Sequence, residues 1–367
     1  MGNCSMRSDD YDPAVYLNSH QFEFHYLIGR GGFSRVWSVT HKNTKQSYAL
    51  KEILKSRVIA KRHVHSVINE KRLLSILKHP FIVNMHHAFQ DRDYLYLTID
   101  LKTGGDLRYH FQKHTFTEED TKFLTSCIIL ALEYLHSNKI IHRDLKPENL
   151  IFDGEGYMHI TDFGIARAWV EDNSHEVSGT PGYMAPEVLC KQNHTYAVDW
   201  YALGVILYEI ITGLRPYLGE NRSKIREQIL DRQVQLKANN LIGEWSEECV
   251  DFVNQLIQRR PQNRLGFNGI NEVKNHPWVR NVEWDKLFRK EIKPSFKPPK
   301  AKNFNQKYVN EDWKDGIITN SDFSQEIFLG YFYNEMPTNN KDDPNYRKCQ
   351  SEGKKYLRQT LNKKQVS

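Results

Sequence analysis

The chain has 367 residues, 39% hydrophobic and 26% charged, with a formal net charge of +6, a length that allows one large domain or two lobes with extensions. No run of about 18 apolar residues is present to cross a bilayer, the best candidate, SCIILALEYL, being short and carrying Glu133. No apolar secretory segment follows the first residues, and Cys4, Cys127, Cys190, Cys249 and Cys349 lie far apart without a CxxC spacing, which reads as free thiols in a reducing cytosol and not as disulfides or zinc.

Residues 1–20 are polar and aperiodic, a plain disordered start, or, since MGNCSM offers Gly2 for myristoylation and Cys4 for palmitoylation, a lipid-bearing segment. Ser5 stands one place early, and Met6 stands where Ser or Thr is favoured. One myristoyl chain gives only marginal affinity, so stable attachment needs a second acyl group or the basic tail. From Phe22 the pattern changes to short β-rich runs, FEFHYLIG, SRVWSVTHK and SYALKEIL. SRVIAKRHVHSVINEKRLLSILK then has apolar residues at helical spacing (Val64, Val67, Ile68, Leu74, Leu77), predicting one helix that ends before His79-Pro80. FIVNMHHAF and YLYLTIDL read as two further strands. Beyond Gly104-Gly105 the chain turns helical, with helices expected over 117–137, 196–212, 222–231 and 246–258. From about 279, prolines and basic residues signal an extended tail. No internal repeat is present.

Sixteen histidines invite a metal, but HVH at 63–65 and HH at 86–87 lack further ligands, so solvated or core histidines are the plainer reading. Much of the excess positive charge lies beyond residue 285, without the interleaved aromatics of a nucleic-acid module. A solvated tail, an acidic protein face or an acidic membrane surface fits it, with no nucleic acid as partner.

LIGRGGFSRV, residues 27–36, is a glycine loop between two predicted strands. Glycine lets the backbone approach phosphates with its N–H groups, although tight hairpins use the same residues and the third glycine of GxGxxG is here Ser34. Lys51 follows on the third strand among apolar neighbours and needs an anion, which phosphates and Glu70 on the next helix supply. IIHRDLKPENLIFDGEGYMHITDFG then sets His142-Arg143-Asp144, Lys146, Asn149 and Asp162-Phe163-Gly164 on two loops flanking a hairpin. A carboxylate for a hydroxyl proton, an amide and a second carboxylate for Mg²⁺, and a lysine for the transferred group are the parts phosphoryl transfer needs.

Over residues 22–278 the chain resembles the eukaryotic protein kinases. DLKPEN and GTPGYMAPE resemble the serine/threonine branch. GGDLRYH, HITDFGIA, AVDWYALGV and the tail EWDKLFRKEIKPSFKP resemble the AGC group, most of all its YANK subfamily, with some likeness to the G-protein-coupled-receptor kinases. The resemblance implies an α+β, bilobal fold: a small antiparallel-sheet N-lobe with one helix over 22–101 and a larger, mainly helical C-lobe over 102–278. Residues 279–367 would be an AGC-type extension and basic tail. It also implies ATP and Mg²⁺ as cofactors, with Lys51 on the α- and β-phosphates, Glu70 as its ion-pair partner, Asp144 as catalytic base beside Lys146, and Asn149 and Asp162 as metal ligands. The resemblance implies that Ile28, Gly29, Arg30, Gly31, Gly32, Phe33, Ser34, Arg35 and Val36 would form the nucleotide loop. By the same resemblance Val36, Ala49 and Ile151 would sandwich adenine, the backbone around Asp100 to Lys102 would be the hinge, and Asp106 would complete the set. Glu187 would pair with Arg264, and Asp199 would brace the catalytic loop.

Three further expectations come from the resemblance. Asp106, Glu148 and Glu227 match places where basophilic AGC kinases hold arginines N-terminal to the target hydroxyl, implying Arg-rich protein substrates; helix-start or solvated acids are the alternative. Phe328 and Tyr331 of FLGYFY would anchor a hydrophobic motif whose usual phosphorylation position is Phe332, or form an aromatic patch that covers the lobe without regulating it. Glu176 stands three residues before Gly179-Thr180, where a phosphothreonine is common, and would pair with Arg143 and Arg167 unless it is solvated and Ser174 or Ser178 takes a phosphate. The whole points to a cytoplasmic, membrane-associated, monomeric signalling kinase. A pseudokinase would lack Lys51, Asp144 or Asp162, and all are present. A lipid-anchored adaptor would be told apart by a kinase assay on residues 22–340.

Overall fold

In SYALKEIL, Tyr48 and Leu50 fall on one face of the first sheet and Ala49 and Lys51 on the other, because side chains two apart on a strand share a face. The structure, a computed structural model, describes residues 17–237, 241–299 and 327–334. The expectations on Gly2, Cys4 and the basic tail after residue 299 lie outside the described residues. The chain forms two compact units.

The first unit comprises residues 17–63, 85–101 and 327–334 of those described. Its antiparallel strands are β1 (Phe22–Arg30), β2 (Ser34–His41), β3 (Ser47–Leu54), β4 (Met85–Gln90), β5 (Tyr94–Asp100) and β11 (Tyr333–Asn334), in the order β1-β2-β3-β5-β4-β11. One face buries Phe22, Val39, Tyr48, Leu50, Phe89 and Tyr96 in a cluster. Phe89 stacks on Phe22 at 5.7 Å and on Tyr96 at 4.8 Å, contacts that add roughly 0.5–1.5 kcal/mol each beyond the burial itself. β4 is shorter than FIVNMHHAF suggests: Phe81–Asn84 precede it, and only Ile82 there makes a bridge, to Ile160.

The single helix expected across 56–78 is two helices, α1 (Lys55–Ala60) and α2 (Val64–Ile76). Arg62 adopts a left-handed φ of 58°. The N–H of Arg62 bonds to Ile59 O, and that of His63 to Val58 O, which closes α1 in the Schellman manner. Arginine there gives none of the warning that glycine would.

The second unit comprises residues 64–84 and 102–299, apart from 238–240. After β6 (Gly105–Asp106) and α3 (Leu107–Phe111) comes α4 (Glu118–Ser137). A capping box starts α4: Thr117 Oγ1 accepts from the N–H of Asp120, while the N–H of Thr117 donates to Asp120 Oδ2. Short strands β7 (Ile140–Ile141), β8 (Leu150–Phe152), β9 (Met158–Ile160) and β10 (Arg167–Ala168) pair as β6-β8-β9 and β10-β7. Then follow α5 (Pro186–Leu189), α6 (Ala197–Thr212), α7 (Arg222–Asp231), α8 (Glu247–Leu256), α9 (Ile270–Lys274) and α10 (Trp284–Phe288). α6 is apolar nearly all round and therefore central. It lies so close to α8 that a Cβ on Gly204 would stand 2.7 Å from Leu256 Cβ.

Residues 280–299 are less extended than expected. Besides α10, Tyr157 Oη donates to Lys290 O at 2.7 Å, and Phe296 packs on Phe116 and Phe152. Among the described residues no helix is long and apolar enough to cross a membrane. The described cysteines, Cys127, Cys190 and Cys249, are free thiols, and burial pushes Cys127 up to about 12.

Candidate active site

In the first unit the sheet face opposite the aromatic cluster carries the nucleotide candidates. Val36 faces Lys51 across β2–β3, and Ser38 faces Ala49, so all four share that face. The N–H of Gly31 donates to Ser34 O at 2.8 Å and closes the glycine hairpin, leaving Gly31, Gly32 and Phe33 at its tip between Ile28-Gly29-Arg30 and Ser34. Arg35 is an ion-pair residue: its Nε reaches Glu52 at 2.7 Å, and Trp37 Nε1 donates to the same carboxylate. Asp100 ends β5 and meets His86 at 2.8 Å.

The same unit holds the C-terminal anchors. Phe328 and Tyr331 are buried, and Gln90 Nε2 donates to Phe328 O at 2.9 Å. The ammonium of Lys55 stands 5.9 Å from the Phe328 ring and donates to Asp91 O. Phe332 is exposed.

In the second unit the loop that follows β7 is built around Asp144, the candidate base. Lys146 Nζ donates to its Oδ2 at 2.6 Å, and Asn149 Nδ2 donates to its backbone O at 2.8 Å and to Oδ2 at 3.2 Å. Thr180 donates to Oδ1 through its N–H at 3.0 Å and its hydroxyl at 2.8 Å, and Lys146 also reaches Thr180 Oγ1. Thr180 was readable in the sequence only as part of GTPG; its bond to Asp144 crosses 36 residues.

Asp199, fully buried at the start of α6, holds the loop from beneath. Its oxygens accept the N–H groups of His142 and Arg143 at 2.9 Å each, and His136 Nε2 at 2.9 Å. Burial alone would raise this carboxyl, but the His136 hydrogen bond, the two histidines and the Arg143 N–H outweigh it and hold it below the usual carboxylate range. Arg143 itself has a left-handed φ of 68°, as does Asp162 at 64°, strain that local bonds must offset. Gly179 touches the same loop: at its φ of 129°, a Cβ would stand 2.8 Å from Arg143 O.

Arg143 spends Nε and Nη2 on Ile165 O, and its Nη1 pairs with Glu176 at 2.7 Å. Burial and nearby Arg167 lower the pKa of this guanidinium, and Glu176 opposes them. Arg167 itself does not pair with Glu176 as expected; it sits in β10, opposite Ile141. A two-residue strand holds it, and one arginine serves the carboxylate. Glu187 and Arg264 form the expected buried fork, at 2.7 and 3.0 Å.

Asn149 and Asp162 fit a magnesium ion. With Asn149 Nδ2 committed to Asp144, its carbonyl oxygen is the atom left for a metal, and both residues are hard oxygen ligands. Among the described residues no group of three His, Cys, Asp or Glu side chains forms a metal site. Also in this unit, Glu70 is buried on α2, Lys102 precedes β6, and Ile151 pairs across strands with Asp106.

The three acids expected to meet substrate arginines are each engaged. Asp106 caps α3, accepting the Tyr109 N–H at 2.7 Å. Glu148 accepts from Arg108 at 2.9 Å. Glu227 is exposed and pairs with Lys224 at 3.5 Å. Arg108 and its buried partner Glu209 did not emerge from the sequence; an acid inside the apolar helix AVDWYALGVILYEIIT was the available signal.

Comparison with known proteins agrees with this geometry. The family described as "Protein kinase domain" matches residues 22–279. A probable serine/threonine-protein kinase of Dictyostelium discoideum is 37% identical over 332 residues, covering 88% of this chain and 72% of its own. Protein kinase 2 of the same organism is 41% identical over 279 residues, covering 76% and 57%. Serine/threonine-protein kinase sgk-1 of Caenorhabditis elegans is 38% identical over 301 residues, covering 80% and 64%. Of the latter two, then, this chain spans less than two thirds of the length. The chain belongs to the protein kinase family. Its kinase domain is of the serine/threonine type, with ATP as phosphoryl donor, and its relatives include kinases of the AGC type.

Proposed function

We propose that the protein phosphorylates serine and threonine hydroxyls of intracellular proteins that carry basic residues N-terminal to the target, with Mg²⁺ as the metal of its ATP. Within the serine/threonine kinases we place it in the AGC group, beside the YANK subfamily. The observation that carries the reading is the Asp144 carboxylate, which accepts a hydroxyl at Oδ1 (that of Thr180) and an ammonium at Oδ2.

A hydroxyl attacking phosphorus must lose its proton as the P–O bond forms, and a carboxylate at hydrogen-bond distance is the group to take it. Lys146 sits beside that carboxylate, where charge on the transferred phosphoryl must be neutralised. Asn149 and Asp162 would hold the metal, which supplies further neutralisation of phosphate charge when bound. Asp199 keeps the loop in its strained form. The Glu176–Arg143 pair holds the activation segment, residues 173–187, to the same loop without a phosphate.

A positional-scanning peptide library with the full chain tests the substrate reading. Incorporation into Ser and Thr with enrichment of Arg or Lys before them is expected. An acidic or proline-directed consensus, or tyrosine as acceptor, would overturn it.

A further inference from the structure

Arg108 occupies a carboxylate pocket of the second unit in the manner of a bound ligand. Its Nη1 and Nη2 fork onto Glu209 at 2.8 and 3.2 Å, its Nε donates to Glu148 at 2.9 Å, and Nη2 also meets the Tyr183 hydroxyl. Tyr183 in turn donates to Glu209 at 2.6 Å, and the guanidinium lies 5.2 Å from the Phe111 ring. Planar two-point pairing with a carboxylate and packing on an aromatic face are what a site for an incoming arginine would offer.

The pocket has an open and a closed side. The Glu209 side chain is only 9% exposed and Glu148 45%, with Arg108 between at 30%. Glu148 follows Asp144 by four positions, so the mouth adjoins the catalytic loop. Burial would lower the Arg108 pKa, but the bonds to Glu209 and Glu148 prevail and raise it above the ordinary arginine value.

We propose that Arg108 is a built-in occupant of this pocket, so that the chain fills one of its own arginine-binding places and substrates are not selected for a basic residue there. The inference rests on the basic-substrate reading above and narrows it. An incoming arginine could reach Glu148 and Glu209 only by displacing Arg108, whose charge would then lose the two carboxylates it already holds. Two carboxylates and one guanidinium leave the group a single net negative charge. Selection for basic residues is left to Asp106 and Glu227, whose partners are a backbone N–H and an exposed lysine.

The test compares the full natural chain with Arg108→Met, which keeps an apolar stem over Phe111. Serine peptides carry Arg or Ala at each of the five positions before the target, and the readout is the Arg-to-Ala ratio of kcat/KM. Arg108→Met is expected to gain preference for arginine at one additional position, by about 10- to 100-fold, the range of a hydrogen bond to a charged group. In the natural chain, Glu148→Gln is expected to leave every ratio unchanged, and this arm stands even if Arg108→Met does not fold.

An unchanged profile in folded Arg108→Met, or a tenfold fall at any position in Glu148→Gln, would overturn the inference. If the natural chain shows no basic preference while Arg108→Met acquires one, the inference holds and the basic-substrate reading falls. A natural chain that phosphorylates no peptide at all overturns both.

Discussion

Arg264 has almost no contact with solvent, yet it carries a permanent charge. It forks onto Glu187 and also donates to Ala197 O at 2.9 Å and Gln258 O at 3.0 Å, with the Tyr201 ring 4.9 Å away. The pair ties the end of the activation segment to the loop after α8. Removing one partner strands a buried charge, which generally costs about 3–5 kcal/mol. Arg264→Met should therefore lower unfolding free energy in urea by about that much, whereas the double change Glu187→Leu with Arg264→Met should cost markedly less. Equal losses in the single and double variants would show that the pair is not what stabilises this corner. Asp199 is a second buried charge with the opposite solution: three N–H donors and no guanidinium.

At the scale of elements, the segment from Asn173 to Glu187 is held to the loop around Asp144 by two sets of bonds, Glu176 to Arg143 and Thr180 to Asp144 and Lys146, while a Cβ on Gly179 would crowd Arg143 O. A phosphothreonine would bring more charge and more acceptor oxygens than Glu176 does. The carboxylate brings less, but permanently. Chain prepared with an unphosphorylated segment should thus already be active, and Glu176→Gln should lower its turnover by about tenfold, the scale of one charge-assisted hydrogen bond. Activity that appears only after phosphorylation of Ser174 or Ser178, with Glu176→Gln indifferent, would contradict this.

What could be read beforehand follows the range of the interactions. α4, α6, α7 and α8 lie within a residue or two of their expected spans because periodicity and caps such as Thr117 and Ser246 are local signals. The break at Arg62 was invisible because left-handed arginine has no residue-type signature. Asp144, Lys146 and Asn149 were legible as a motif. Arg108 was not, since its partners Glu148 and Glu209 lie 40 and 101 positions away. No rule of spacing links them.

For the molecule as a whole, buried histidines make stability depend on pH. His79 accepts the Phe81 N–H at 3.2 Å and stacks on Tyr134 at 5.0 Å. Burial lowers its pKa from 6.5 to about 4, and burial also lowers those of His110, His194 and His276. Between those values the unfolded chain binds more protons than the folded one, so stability rises with pH there and is lost as pH falls from about 6.5. His79 alone should remove about 2 kcal/mol by pH 5. The lowered Asp199 acts further down: its contribution is present above the ordinary carboxylate pKa and is lost as pH falls through the folded value. Urea midpoints should decline from pH 7.5 to pH 5; a flat profile would mean that these rings are protonated within the fold.

Phosphoryl transfer depends most directly on Asp144. Transfer of the γ-phosphate of ATP to serine peptides is to be measured side by side for the natural chain and Asp144→Asn, together with nucleotide affinity. Asn cannot take the hydroxyl proton, so turnover should drop by about 10²- to 10⁴-fold while ATP binding is largely retained. Turnover in the variant above a few per cent of natural would contradict the assignment of Asp144 as the base.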